Sequence, residues 1–119
     1  MKQPGPDHPI TISREGQRVR VQFAGRTVAD TTRALTLKEA SYPPVYYVPR
    51  ADADMSLLTR TAHGTHCPHK GDASYFTISG DGRTADNAVW SYETPFPAVA
   101  EIKDHLAFYP NKVDAIEVG

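Results

Sequence analysis

The chain carries one cysteine, one tryptophan and two methionines in 119 residues. A lone cysteine makes no intramolecular disulfide, so nothing in the sequence calls for an oxidising compartment. No stretch approaches the roughly 20 consecutive apolar residues that a membrane-spanning helix needs. Residues 1–9 hold three prolines, a glycine and no apolar run, unlike a secretory signal. Charge of one sign is lacking too: 13 Lys and Arg stand against 14 Asp and Glu, for a formal net charge of -1. That balance leaves no basic footprint for nucleic acid or an anionic membrane. The expectation is a cytoplasmic protein with neither as partner.

Several catalytic signatures are absent as well. There is no glycine-rich dinucleotide fingerprint and no serine–histidine–carboxylate order. Gly64 precedes Lys70, but no second glycine stands directly before the lysine and no Ser or Thr follows it, so the phosphate-binding P-loop is missing. No cofactor is expected. No internal repeat, low-complexity tract or interdomain linker is visible.

What the chain does have is punctuation. Ten prolines and eight glycines cut it into short segments, which favours strands and turns over long helices. Residues 18–23 alternate, with Val19, Val21 and Phe23 on one face and Arg18, Arg20 and Gln22 on the other, the pattern of a half-buried strand. Further strands are predicted over 27–31, 34–39, 45–48, 73–79, 87–92 and 106–109, with 115–118 closing an edge. Gly80-Asp81-Gly82 predicts the turn between two antiparallel partners. A helical turn is predicted over 52–58 and a short helix over 95–106. The chain divides into residues 1–17, an N-terminal arm with a first short strand over 10–12, and 18–119, a single mainly β, antiparallel domain with one or two short helices.

Reactive chemistry concentrates in residues 65–76. Cys67 is a candidate activated nucleophile, because Lys70, His66 and His69 are close in sequence and cations lower a thiol's pKa; the alternative is a packed, inert thiol. His63, His66, Cys67 and His69 are ligand types that zinc accepts, but adjacent residues of an extended segment point apart. No metal site is assigned, and the histidines are expected on a solvent-facing loop. Lys70 beside Gly71 suits contact with a phosphate or carboxylate. Asp52 and Asp54 could in principle hold magnesium, but their place before an apolar segment fits helix capping.

Aromatic residues supply the other element. Trp90 and Tyr92 lie two apart on a predicted strand and share a face. The turn at residues 80–82 brings them beside Tyr75. Tyr46 or Tyr47 could join. Tyrosine and tryptophan give large contact area with one polar handle, which suits the wall of a small-molecule site. Arg50 and Glu39 flank the tyrosines and could supply charge.

Four stretches together carry a family resemblance: Arg18 to Asp30, Tyr46 to Asp52, Thr65 to Tyr75, and Ala88 to Glu93 leading to Ala107-Phe108-Tyr109. The pattern Cys-Pro-x-Lys-Gly-x-Ala-x-Tyr falls on Cys67, Pro68, Lys70, Gly71, Ala73 and Tyr75. The chain resembles a bacterial family, the domain of unknown function 427 family, once labelled nucleotidyltransferase-like. The resemblance implies a β-tent-like fold, similar to the ligand-binding domain of cereblon, in which sheets meet at an angle around a pocket. It implies no established activity. The leading expectation is a small-molecule-binding domain with an aromatic wall of Tyr75, Trp90 and Tyr92, anion anchors at Lys70 and Arg50, and Glu39 nearby. An enzyme using Cys67 and a structural or partner-binding module are the alternatives. Lys70, Tyr75 and Trp90 are expected to border one cavity. Oligomeric state is not legible.

Overall fold

The computed structural model describes residues 8–119. The arm before residue 8 lies outside them. Ten strands form three antiparallel sheets among the described residues. The first sheet pairs β1 (Ile10–Ser13), β4 (Leu35–Glu39) and β5 (Val45–Tyr47), in the order β1-β4-β5. The second has β2 (Val19–Phe23) between β3 (Arg26–Thr31) and β10 (Ala115–Val118). The third runs β6 (Leu58–Cys67), β7 (Gly71–Ser79), β8 (Thr84–Tyr92) and β9 (Ala107–Phe108). The domain is therefore mainly β and antiparallel, with no helix long and apolar enough to cross a membrane among the described residues.

The third sheet is covered on both faces, and the sequence of its strands says why. Successive side chains of a strand alternate between faces. Phe76, Ile78, Val89 and Phe108 turn one way and bury against Val21, Phe23 and Val28 of the second sheet. Ala73, Tyr75, Tyr92 and Ala107 turn the other way, toward Leu35, Leu37 and Tyr47 of the first sheet. The first and third sheets are stitched by Val48 and Leu106, whose amides each donate to the other's carbonyl, at 2.7 and 2.8 Å. The hollow between those two sheets is where the candidate site forms.

Two expectations of local structure are corrected. Residues 58–67 form a ten-residue strand, not a loop. The segment lies at the edge of its sheet and is mostly exposed, so it has no apolar alternation to betray it. The helical stretches shrink to single 3-10 turns: Arg50–Asp52, Met55–Leu57 and a kinked Pro97–Ile102 that buries Val99 and Ile102. Extended backbone at Ala53 separates the first two, and the third bends at Val99, with φ -126° and ψ 27°. β1, grouped by sequence with the N-terminal arm, pairs along its length with β4.

Candidate functional site

β7 and β8 set the aromatic wall. Tyr75 pairs directly with Trp90, and Ala73 with Tyr92, so Tyr75, Trp90 and Tyr92 project from one face. Ala73 is small enough to leave room beside Tyr92. Opposite stand Leu37 and Glu39 from β4, and Val45 and Tyr47 from β5. Their spacing of two puts each pair on the inward face. Thr65 on β6, Lys70 in the β6–β7 connection and Tyr109 after β9 complete a cavity of about 360 Å³.

The polar groups of this cavity are wired to one another. The Tyr75 hydroxyl is hydrogen-bonded to Thr65 Oγ1 at 2.8 Å and to the Tyr109 hydroxyl at 3.2 Å. Trp90 Nε1 donates to the Tyr47 hydroxyl at 3.3 Å. Lys70 Nζ donates to Glu39 Oε1, and His8 Nε2 meets the other carboxylate oxygen at 2.6 Å. The Lys70 ammonium also lies 5.9 Å from the centroid of the Tyr92 ring, within cation–π range. Lys70 is only 8% exposed. Its positive charge is thus met inside the protein, and the Lys70–Glu39 pair adds no net charge to the cavity.

Burial sets the protonation of the remaining groups. It raises the Tyr47 and Tyr92 hydroxyls well above the usual phenol range. Burial, with the hydrogen bond to Tyr75, pushes Tyr109 up to about 12. These phenols stay neutral across the physiological range and act as hydrogen-bond donors and acceptors. Burial would raise Glu39 as well, but hydrogen bonds from Lys70 and His8 outweigh it and hold the carboxyl below its ordinary range.

The structure gathers Glu39, Lys70, Tyr75, Trp90 and Tyr92 around this cavity and leaves Arg50 and Cys67 out of its lining. Arg50 sits on the opposite face of the third sheet. It donates to Glu93 Oε2 at 3.0 Å, to Ser91 Oγ at 3.1 Å and to the Asp104 carbonyl at 2.7 Å, with its guanidinium 5.5 Å from the Phe76 ring centroid. Strand alternation explains this, since Ser91 faces away from Trp90 and Tyr92. Cys67 is half-buried and packs against the core between the first and third sheets.

The three histidines go separate ways. His63 meets the Tyr75 ring edge-on at 4.5 Å, His66 Nδ1 lies 2.7 Å from Asp72, and His69 stacks on His8 at 3.9 Å. Among the described residues, no three His, Cys, Asp or Glu side chains converge as metal ligands. Asp52 accepts from Thr31 and Arg33, while Asp54 caps the second 3-10 turn by accepting from the Ser56 amide, so the two carboxylates do not face a common point.

The family model described as Domain of unknown function (DUF427) matches residues 11–119. The chain belongs to the domain of unknown function 427 family. Every residue lining the cavity falls within the match. No curated protein matches the chain. Four lining residues were not singled out from sequence in this family member: Leu37, Val45, Thr65 and Tyr109. Tyr109 closes the Ala107-Phe108-Tyr109 stretch of the resemblance, a signal that could have placed it. Tyr47 is separated from Tyr46 only by the alternation of β5, which sends Tyr46 to the other side.

Proposed function

We propose that this domain binds a small, uncharged, planar molecule in the cavity between its first and third sheets. The observation that supports this reading is the lining itself. Five hydroxyls, those of Tyr47, Thr65, Tyr75, Tyr92 and Tyr109, share one hollow with an indole, and its one lysine is already paired with a glutamate. Aromatic faces give a planar ligand contact area, and neutral phenols give it donors and acceptors without favouring a charged group. The volume lies near the lower end of the usual range for ligand sites, roughly 300–1,000 Å³. The internal pairing of Lys70 and Arg50 shifts the reading away from an anionic ligand. With a single cysteine and the family resemblance, we place the protein in the bacterial cytoplasm.

Trp90 is the only tryptophan, so its emission reports on the cavity. Titration with a panel of uncharged planar heterocycles should give a saturable change in that emission. The side-chain hydroxyl of Tyr92 makes no hydrogen bond among the described residues, so Tyr92→Phe should leave the fold intact and weaken binding about 3- to 10-fold. Saturable binding that is indifferent to Tyr92→Phe, or no binding at all, removes the reading.

A further inference from the structure

A second hollow, of about 290 Å³, adjoins the first. Its lining holds no charged side chain; Val19, Val21, Val48, Phe108, Ile116 and Val118 are representative. Val45 and Trp90 border both hollows. Two segments serve both in alternation: β5 sends Tyr47 to the polar cavity and Tyr46 to the apolar groove, and after β9 Tyr109 lines the cavity and Pro110 the groove. The groove reaches the surface at Val118, which is 41% exposed.

We infer that the two hollows form one amphipathic site, taking a ligand with a compact hydrogen-bonding head in the polar cavity and an apolar alkyl or aryl tail in the groove. This rests on the reading above and narrows its ligand class. Five of the six lining hydroxyls fall in the cavity, only that of Tyr46 lies in the groove, and most of the aliphatic side chains line the groove, with Val45 and Trp90 as the shared boundary. A head group alone would leave the apolar walls wet. An apolar molecule alone would cover the Tyr92 hydroxyl, which has no hydrogen-bond partner among the described residues, without giving it one. A molecule with both parts satisfies each end.

The test uses 4-alkylphenols of increasing chain length, from phenol to 4-octylphenol, titrated into isotopically labelled protein and followed by amide chemical shifts. All members should shift the amides of Lys70, Tyr75 and Tyr92. Only the longer members should shift those of Val19, Ile116 and Val118, and affinity should rise about two- to fourfold per added methylene until the groove is filled. Val118→Glu and Pro110→Asp, both at exposed positions, should flatten that rise while leaving phenol binding unchanged. Cavity shifts without a chain-length gain would overturn the inference and leave the binding reading standing. Groove shifts without cavity shifts, or no shifts anywhere in the series, would overturn both. Groove amides that move with protein concentration alone would assign the groove to a second copy of the chain and equally overturn the inference.

Discussion

The ammonium of Lys70, in the β6–β7 connection, is bound to the carboxylate of Glu39 at the end of β4, joining the third sheet to the first across one end of the cavity. This bond makes the focal lysine a structural tie as well as a wall residue. Breaking a largely desolvated pair from one side leaves the other charge uncompensated. Lys70→Ala should therefore destabilise the domain by about 2–3 kcal/mol, less than a fully buried pair because Glu39 keeps His8. The double variant Lys70→Met/Glu39→Gln should recover part of that loss. Urea denaturation of Lys70→Met, Glu39→Gln and the double gives the coupling; additive losses would show that the pair contributes nothing.

Tyr75 joins β6 to the segment after β9 through its hydroxyl. Tyr75→Phe removes both hydrogen bonds and should cost about 1–2 kcal/mol in unfolding free energy. It should also bring the Tyr109 phenol down from about 12 toward its ordinary value of 10.0, since the bond to Tyr75 helps hold its proton. An ultraviolet titration comparing the variant with Tyr109→Phe reads the shift, and an unmoved curve would contradict the bond.

On the opposite face, Arg60 and then Arg50 and Ser74 hold Glu93 down to about 2, against an ordinary value of 4.5. A carboxyl depressed on folding contributes stability that is whole above its unfolded value and is lost as pH falls through the folded one. Stability should therefore drop between about pH 4.5 and about pH 2. Glu93→Gln should be less stable than the parent near neutrality and lose less over that interval. Parallel slopes for the two proteins in thermal melts across the range would rule out Glu93 as a source of the acid sensitivity.

Gly71 holds φ +112°, and a Cβ there would stand 3.4 Å from the Thr94 carbonyl oxygen. The space is ordinary van der Waals contact, but the backbone conformation disfavours a side chain. Gly71→Ala should cost about 1–3 kcal/mol. Because Phe96 donates its amide to the Lys70 carbonyl at 3.0 Å, the same change should disturb the Lys70 contact with Glu39. Amide shifts at Glu39 and Phe96 in the variant would show this; a variant with parental stability and unchanged shifts would not bear it out.

Much of the fold was legible because apolar alternation is the signal that burial leaves in a strand. β2, β7 and β8 each bury at least one face, and their sequences say so. β6 was not legible, because an edge strand facing solvent has no such constraint. The helical segments are shorter than the sequence suggests for a related reason: Val99 and Ile102 are three apart, a spacing that a 3-10 turn satisfies as well as a longer helix. In the candidate site, alternation alone placed Trp90 with Tyr92, and the turn at residues 80–82 placed both beside Tyr75. The partner of Lys70 could not be read, since Glu39 is 31 residues away and only the packing of two sheets brings them together. Arg50 shows the converse. Its closeness in sequence to Tyr47 carried no information about which face of the third sheet it would reach.

β6 has one further consequence. It is the outermost strand of its sheet, and such strands offer unpaired backbone groups to any neighbouring chain. Its ladder is broken between Arg60 and Gly64, where Thr61, Ala62 and His63 stand opposite the single residue Tyr75. The extra residues kink the outer rim, and the Arg60 guanidinium projects beside it to Glu93 and Ser74. The irregularity thus spoils β6 as a template for strand addition, and the same distortion sets the His63 ring against the edge of the candidate cavity's wall.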